Sequence, residues 1–237
     1  MSEKTVSGQK GLSALFVGLA TTFCVCLVSS NIFVPRLWQV GNLPLQLSGA
    51  VIIFPISYII NDLLTEVYGY RRAMLVIWMG FALSAFIAIA GHLVSLLPEP
   101  LSPENRGTAD SFNSLFRMVP RVTFSSLLAF ILGSQINSIV MSRMKVAQKG
   151  RGFGWRAILS SVAGELTDSL IFYPLAFGGI LPVDALLGLI ATQVTVKTLY
   201  EVLVLPLTTY LSRKLKAAEG IDTYDYNISY NPFKLNK

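Results

Sequence analysis

Six ionisable residues sit in pairs within stretches that are otherwise apolar. Asp62 and Glu66 are four residues apart, Glu165 and Asp168 three, and Lys197 and Glu201 four. On a helix, each pair shares a face. Five acids against one base need an explanation, because a buried carboxylate is very costly unless it is protonated, hydrated or bound. Two structural alternatives are that Lys197 neutralises Glu201 or Asp168, and that Glu66 pairs with Arg71 or Arg72 at an interface. Neither accounts for all five acids, whereas a polar cavity between three helices does. Asn31, Gln135, Asn137 and Gln193 are candidates to line it, although any one of them alone would serve as an interhelical hydrogen bond. Tyr58 lies one turn before Asp62, Phe172 one turn after Asp168 with Tyr173 beside it, and Tyr200 adjoins Glu201. Each aromatic has an alternative reading as ordinary packing. Together, an aromatic next to a carboxylate suits a flat heterocycle: the ring stacks, and the carboxylate accepts from adjacent N–H groups.

The same residues argue against other chemistry. Cys24 and Cys26 are two apart, so they face different sides of a helix, and His92 is the only histidine. No metal site, HExxH motif or serine–histidine arrangement follows, and no cofactor is implied. An intramembrane enzyme using Asp62 and Glu66, or Glu165 and Asp168, as an acid–base pair is the competing reading. The chain has no GxxxxGK[ST] loop, so it does not hydrolyse ATP itself. Proton coupling, facilitated diffusion and an ATPase partner all stay open.

The elements that must hold these residues are membrane helices. The chain has 237 residues, of which 53% are hydrophobic and only 14% charged, and its mean hydropathy is +0.59. A soluble domain carries about 25% charge. The composition therefore excludes a soluble globule, a disordered chain and a nucleic-acid binder, despite a pI near 9.4. Gly11–Pro35, Leu37–Asn61 and Val122–Ser142 contain no ionisable group, and Ala73–Pro98 contains only neutral His92. Each is long enough to cross about 30 Å of hydrocarbon as a helix. Ala157–Val183 and Ala185–Ser212 are apolar and carry the charged pairs. The expectation is an all-α polytopic membrane protein with six transmembrane helices, over about 12–34, 45–69, 73–97, 122–142, 157–180 and 185–211. Residues 1–10 and 213–237 flank that single membrane domain. Spanning strands do not fit, because the apolar runs do not alternate. The first run is too long for a signal-peptide core and is read as a retained helix.

Orientation follows from Lys and Arg. Of the nineteen, Lys197 lies within the membrane, Arg36, Arg106, Arg117 and Arg121 fall on one side, and the remaining fourteen on the other. Both termini are therefore expected in the cytoplasm. Pro55 is expected to interrupt the second helix, and Pro174 with Gly178 and Gly179 the fifth. Broken helices in corresponding positions suggest two inverted three-helix halves. Glu99–Arg121 reads as the longest outer loop. Phe112, Leu115, Phe116 and Val119 give it an amphipathic stretch or a short connector turn. The tail after Lys216 keeps Tyr224, Tyr226, Tyr230 and Phe233, consistent with docking or with disorder.

Several of these motifs resemble the queuosine precursor transporter family, also called the VUT or YhhQ family. They are Phe54-Pro55-Ile56-Ser57-Tyr58, Asn61-Asp62, Glu66-Val67-Tyr68-Gly69-Tyr70, Asn137-Ser138, Arg143-Met144-Lys145, Gly164-Glu165, Asp168-Ser169, Phe172 with Ala176-Phe177-Gly178-Gly179, Lys197-Thr198-Leu199-Tyr200-Glu201 with Pro206, and the tail segments Glu219-Gly220-Ile221-Asp222 and Asn231-Pro232-Phe233. The resemblance implies a six-helix inner-membrane importer of 7-deazaguanines: the 7-cyano and 7-aminomethyl forms or queuine. Its partners would be that small molecule and membrane lipids, with no nucleic acid, and a homo-oligomer is left open. A substrate-binding subunit of a vitamin-type importer is the alternative. For a 7-deazaguanine substrate we expect Glu165 or Asp168 at the base edge, Phe172 or Tyr173 stacking, and Lys197 with Glu201 as a charge pair that rearranges during the cycle.

Overall fold

The computed structural model describes residues 13–39, 46–98, 102–179, 181–226 and 228–231. Lys4, Lys10, Pro232, Phe233, Lys234 and Lys237 lie outside them. Six α-helices account for most of the described chain: α1 (Ala14–Phe33), α2 (Phe54–Tyr68), α3 (Tyr70–Ser95), α4 (Pro103–Ala147), α5 (Phe153–Phe177) and α6 (Val183–Glu219). By length and composition, α1, α3, the Arg121–Ala147 part of α4, and α6 can each cross a membrane.

The second apolar stretch departs from the expected continuous span. It holds a short antiparallel hairpin of β1 (Leu37–Gln39) and β2 (Gln46–Ser48), in register Trp38 opposite Leu47, and then a 3-10 turn at Gly49–Ile52. Only then does α2 begin. Pro55 does not interrupt this helix. It occupies the first turn, where its missing N–H leaves no hydrogen bond unmade. α2 is the shortest of the six helices and the most enclosed, with every residue from 57 to 68 buried. It packs against α1, α3, α4 and α6.

Two other expectations change, and the tail takes one of its two open alternatives. α5 runs through Pro174 and ends at Phe177, with Gly178 as its cap and Gly179 at φ 78°. Arg121 closes that end by donating to the carbonyls of Leu175 (2.8 Å) and Gly178 (2.6 Å). The outer stretch takes its helical alternative from Pro103 onward and runs without a break into the fourth span, so α4 is 45 residues long. At about 1.5 Å per residue it reaches about 67 Å, roughly twice the hydrocarbon thickness. Its Phe116 lies over Gly91 of α3, where a Cβ would fall 2.1 Å from the ring. The tail is docked rather than free, as described below.

α4 and α5 form the most extensive helix pair. They meet at two glycines. A Cβ on Gly133 would lie 2.8 Å from the Gly164 carbonyl oxygen, and one on Gly164 would lie 2.9 Å from that of Gly133. Small residues let two backbones approach this closely. Tyr58 of α2 is wedged at the crossing, 3.0 Å from either glycine's Cβ position, with its ring edge-on to Phe130.

Candidate functional site

The sequence-predicted residues separate into three places. The first is a small cavity of about 40 Å³ lined by Asp168, Phe172 and Tyr173 of α5, Gln193 and Lys197 of α6, Ser126 of α4, and Ser48, Ala50 and Val51 of the hairpin and 3-10 turn. At 10–15 Å³ per water, that is room for about three waters. Lys197 Nζ pairs with Asp168 Oδ2 at 3.6 Å, and both residues are buried. Phe172 and Tyr173 meet edge to face with ring centres 5.1 Å apart. The Gln193 side-chain nitrogen is buried with no hydrogen-bond partner among the described residues. Asn31 stands beside the cavity rather than in its lining: it accepts from the Ser126 hydroxyl at 2.5 Å.

The second place lies deeper and joins α2, α4, α5 and α6. Asp62 Oδ1 accepts from the Asn137 amide at 2.9 Å. The Ser161 hydroxyl is 2.7 Å from Glu201 Oε1 and 3.5 Å from Asp62 Oδ2. Glu165, 1% exposed, lies one turn on from Ser161 and one turn before Asp168, and its Oε2 has no hydrogen-bond partner among the described residues. Tyr58, buried between Gly133 and Gly164, lies one turn before Asp62 on α2.

The third place takes Glu66 away from the cavity. Its carboxylate is fully buried and meets Lys216 Nζ at 2.5 Å, Arg156 at 2.9 Å and Lys145 Nζ at 3.8 Å. Arg71 and Arg72 are not its partners among the described residues. The C-terminal segment completes this cluster. Asp222 accepts from Lys145 (2.6 Å) and Lys216 (3.0 Å), and Lys145 also donates to the backbone carbonyls of Glu66 and Thr223. Partial burial works to raise the Asp222 pKa, but these two lysines hold the carboxyl below the usual aspartate range. The segment then crosses Gly69, where a Cβ would lie 2.8 Å from Thr223 Cγ2, and places Asp225 to accept from Tyr70 N and Ser142. Gln135 faces this segment, donating to the Tyr230 carbonyl at 3.4 Å. Tyr200 is half-buried and does not line the cavity.

With this geometry established, comparison with known proteins adds the family. Residues 48–211 match the family described as "Putative vitamin uptake transporter". The chain belongs to this family. It is similar to a "Probable queuosine precursor transporter" of Bacillus subtilis (strain 168), with 28% identity over 209 residues covering 88% of this chain and 86% of the relative. No solved structure matches. Family membership and four apolar helices make the protein an integral, multi-pass membrane protein. The matched region contains the whole lining of the cavity except its Val34 edge.

Sequence reasoning missed Ser126, Ser161, Lys145 and Arg156. Ser161 was detectable: with Glu165 and Asp168 it continues an i, i+4, i+7 stripe along α5. Arg156 enters the sequence reading only as a charge that sets orientation, and Lys145 as such a charge and as part of the Arg143-Met144-Lys145 motif.

Proposed function

We propose that the chain is a six-span importer of queuosine precursors in the inner membrane. Its substrates are 7-deazaguanines carrying a 7-cyano or 7-aminomethyl group, or queuine, and both termini are cytoplasmic. The first three and last three helices then have opposite topology. The lysine and arginine distribution supports this orientation. α2, with 15 residues, is too short to cross alone, so the hairpin and 3-10 turn complete the second traverse. Irregular chain is tolerated at membrane depth where it is packed in protein and lines a cavity, and Ser48, Ala50 and Val51 do line this one.

The observation that carries the reading is the cavity's composition: one carboxylate, one ammonium, one amide and two aromatic rings at a single small site. Asp168 suits the adjacent ring N–H and exocyclic amine of a deazaguanine. Lys197 and Gln193 can donate to its carbonyl oxygen, and Phe172 and Tyr173 offer ring faces and edges. A two-ring base needs more room than three waters, so binding requires the Asp168–Lys197 pair to part and the aromatic walls to move. The relative's name supports the same substrate class.

The test is a thermal-shift and binding panel on the detergent-solubilised protein. It compares 7-cyano-7-deazaguanine, 7-aminomethyl-7-deazaguanine and queuine with biotin, riboflavin and thiamine. Deazaguanines are expected to stabilise the native state. Asp168→Asn is expected to weaken binding by about 10–100-fold, the equivalent of about 1.5–3 kcal/mol for a hydrogen bond to a charged group. Stabilisation by a vitamin and by no deazaguanine would overturn the reading.

A further inference from the structure

The transport reading uses Asp168 and leaves Asp62, Glu165 and Glu201 without a role, and the charges of these four acids do not balance. Asp62, Glu165, Asp168 and Glu201 are 1%, 1%, 7% and 5% exposed. Among the described residues, the cation in contact with this group is Lys197, which is paired to Asp168. The charged groups facing the cluster can be followed element by element. α2 brings Tyr58 one turn before Asp62 and Glu66 one turn after. α4 brings neutral Asn137, and its Lys145 is held at Glu66. α5 brings Glu165 and Asp168, and its Arg156 is also held at Glu66. α6 brings Lys197 and Glu201, and its Lys216 is again held at Glu66. Four ionised carboxylates would therefore leave a net charge of −3 out of water, and like charges this close do not all ionise.

The Ser161 contacts offer a place for a shared proton between Asp62 and Glu201. A hydroxyl has one hydrogen to donate and lone pairs to accept with. Ser161 lies 2.7 Å from Glu201 and 3.5 Å from Asp62, so it can donate to only one of them. At 3.5 Å the Asp62 contact is at the outer limit of a hydrogen bond, and it becomes attractive when one carboxyl is protonated and donates to the Ser161 oxygen. Two arrangements satisfy the geometry. In one, Asp62–COOH donates to Ser161 and Ser161 donates to the Glu201 carboxylate. In the other, Glu201–COOH donates to Ser161 and Ser161 donates to the Asp62 carboxylate. They interconvert when Ser161 gives its proton to Glu201 and takes one from Asp62. Total charge and the serine are unchanged, and one proton has passed from α2 to α6. Glu165, buried and with an unpartnered oxygen, lies along α5 between this relay and the Asp168–Lys197 pair of the cavity.

We infer that Asp62, Ser161 and Glu201 form the binding site and relay of a cotransported proton, so that the pH gradient drives substrate entry. The inference rests on the transport reading, and the test separates the two. Purified protein in proteoliposomes is assayed for uptake of labelled 7-cyano-7-deazaguanine, with interior pH followed by trapped pyranine. Without a gradient, saturable exchange of labelled for unlabelled base is expected, and its absence refutes transport itself. With the exterior one pH unit more acidic, accumulation of up to about 10-fold is expected for one proton per substrate, since one unit is a tenfold ratio. Substrate should acidify the interior, and a protonophore should return accumulation to unity. Intact exchange with no response to the gradient and no proton entry overturns the coupling and leaves transport standing. An inward sodium gradient that drives accumulation at equal pH overturns it as well. Glu201→Gln and Asp62→Asn, each eluting as wild type in detergent, are expected to lose proton entry and accumulation. A variant that still couples moves the proton site away from this relay.

Discussion

Glu66 gives the sharpest test of how the structure divides its acids. The sequence places it with Asp62 on one helix face, as a substrate contact. The structure instead surrounds it with Arg156, Lys216 and Lys145 and leaves it fully buried. Arg156 is also fully buried, and its other hydrogen bond is a long one, 3.4 Å, to the Gly150 carbonyl. Glu66→Gln keeps the shape and removes the charge, stranding that guanidinium in the core. Breaking a buried pair from one side costs about 3–5 kcal/mol. At about 2–4 °C per kcal/mol for a chain of this size, the unfolding midpoint should fall by about 6–20 °C. Arg156→Met should cost less, because Glu66 keeps two lysines. Thermal unfolding of the purified variants, followed by tryptophan fluorescence at fixed detergent and scan rate, makes the measurement. Two results refute the reasoning. One is a midpoint within about 2 °C of wild type for Glu66→Gln, which corresponds to less than about 1 kcal/mol. The other is normal stability with substrate binding abolished, which would make Glu66 a ligand contact.

Glycine substitutions test the packing. Gly133→Ala brings its Cβ within 2.8 Å of the Gly164 carbonyl and 3.0 Å of the Tyr58 hydroxyl, and should destabilise by about 1–3 kcal/mol. Gly18→Ala meets nothing within 4 Å and should be neutral or slightly stabilising in the same unfolding assay. Gly69→Ala collides with Thr223 and strains a residue at φ 86°, so limited proteolysis should cut the C-terminal segment faster than in wild type. The lowered Asp222 pKa sets a direction for pH: its contribution to docking is fully present above about 4, the ordinary aspartate value, and is lost as pH falls through the lower folded value. Proteolytic protection of the tail should therefore hold from pH 8 to 5. Asp222→Asn should reduce that protection by less than about 1 kcal/mol, as expected for a half-exposed ion pair.

Charge-free length located most helices, because crossing hydrocarbon is a one-dimensional demand that apolar runs meet directly. It failed where the chain must do something else within an apolar run. Leu37–Asn61 has no charge, yet it carries Gly41, Asn42, Pro44 and Gly49, whose turn chemistry a hydropathy sum discards. It failed in the opposite sense from residue 103 to 120, where Glu104, Arg106 and Asp110 mark exposure without breaking the helix. The site was legible as residue types and only partly as places. Lys197 meets Asp168, one of the two acids it could neutralise, whereas Gln135 turns to the tail, a partner that spacing along one helix cannot name.

The separation of Asp62 from Glu66 shows why a shared helix face is not a shared site. Four residues advance a helix by about 6 Å, enough to carry one carboxylate to Asn137 and Ser161 and the other into a cage of three cations. α2 is buried along nearly its whole length, so neither end can move without the other. If the relay at Asp62 changes its protonation as substrate passes, any tilt of α2 also loads the Glu66 cage. Through Lys145 and Lys216, that load reaches Asp222 and the docked tail. A gain or loss of tail protection on adding substrate would register this connection. Protection that is the same with and without saturating 7-deazaguanine would confine the movement to α5 and α6.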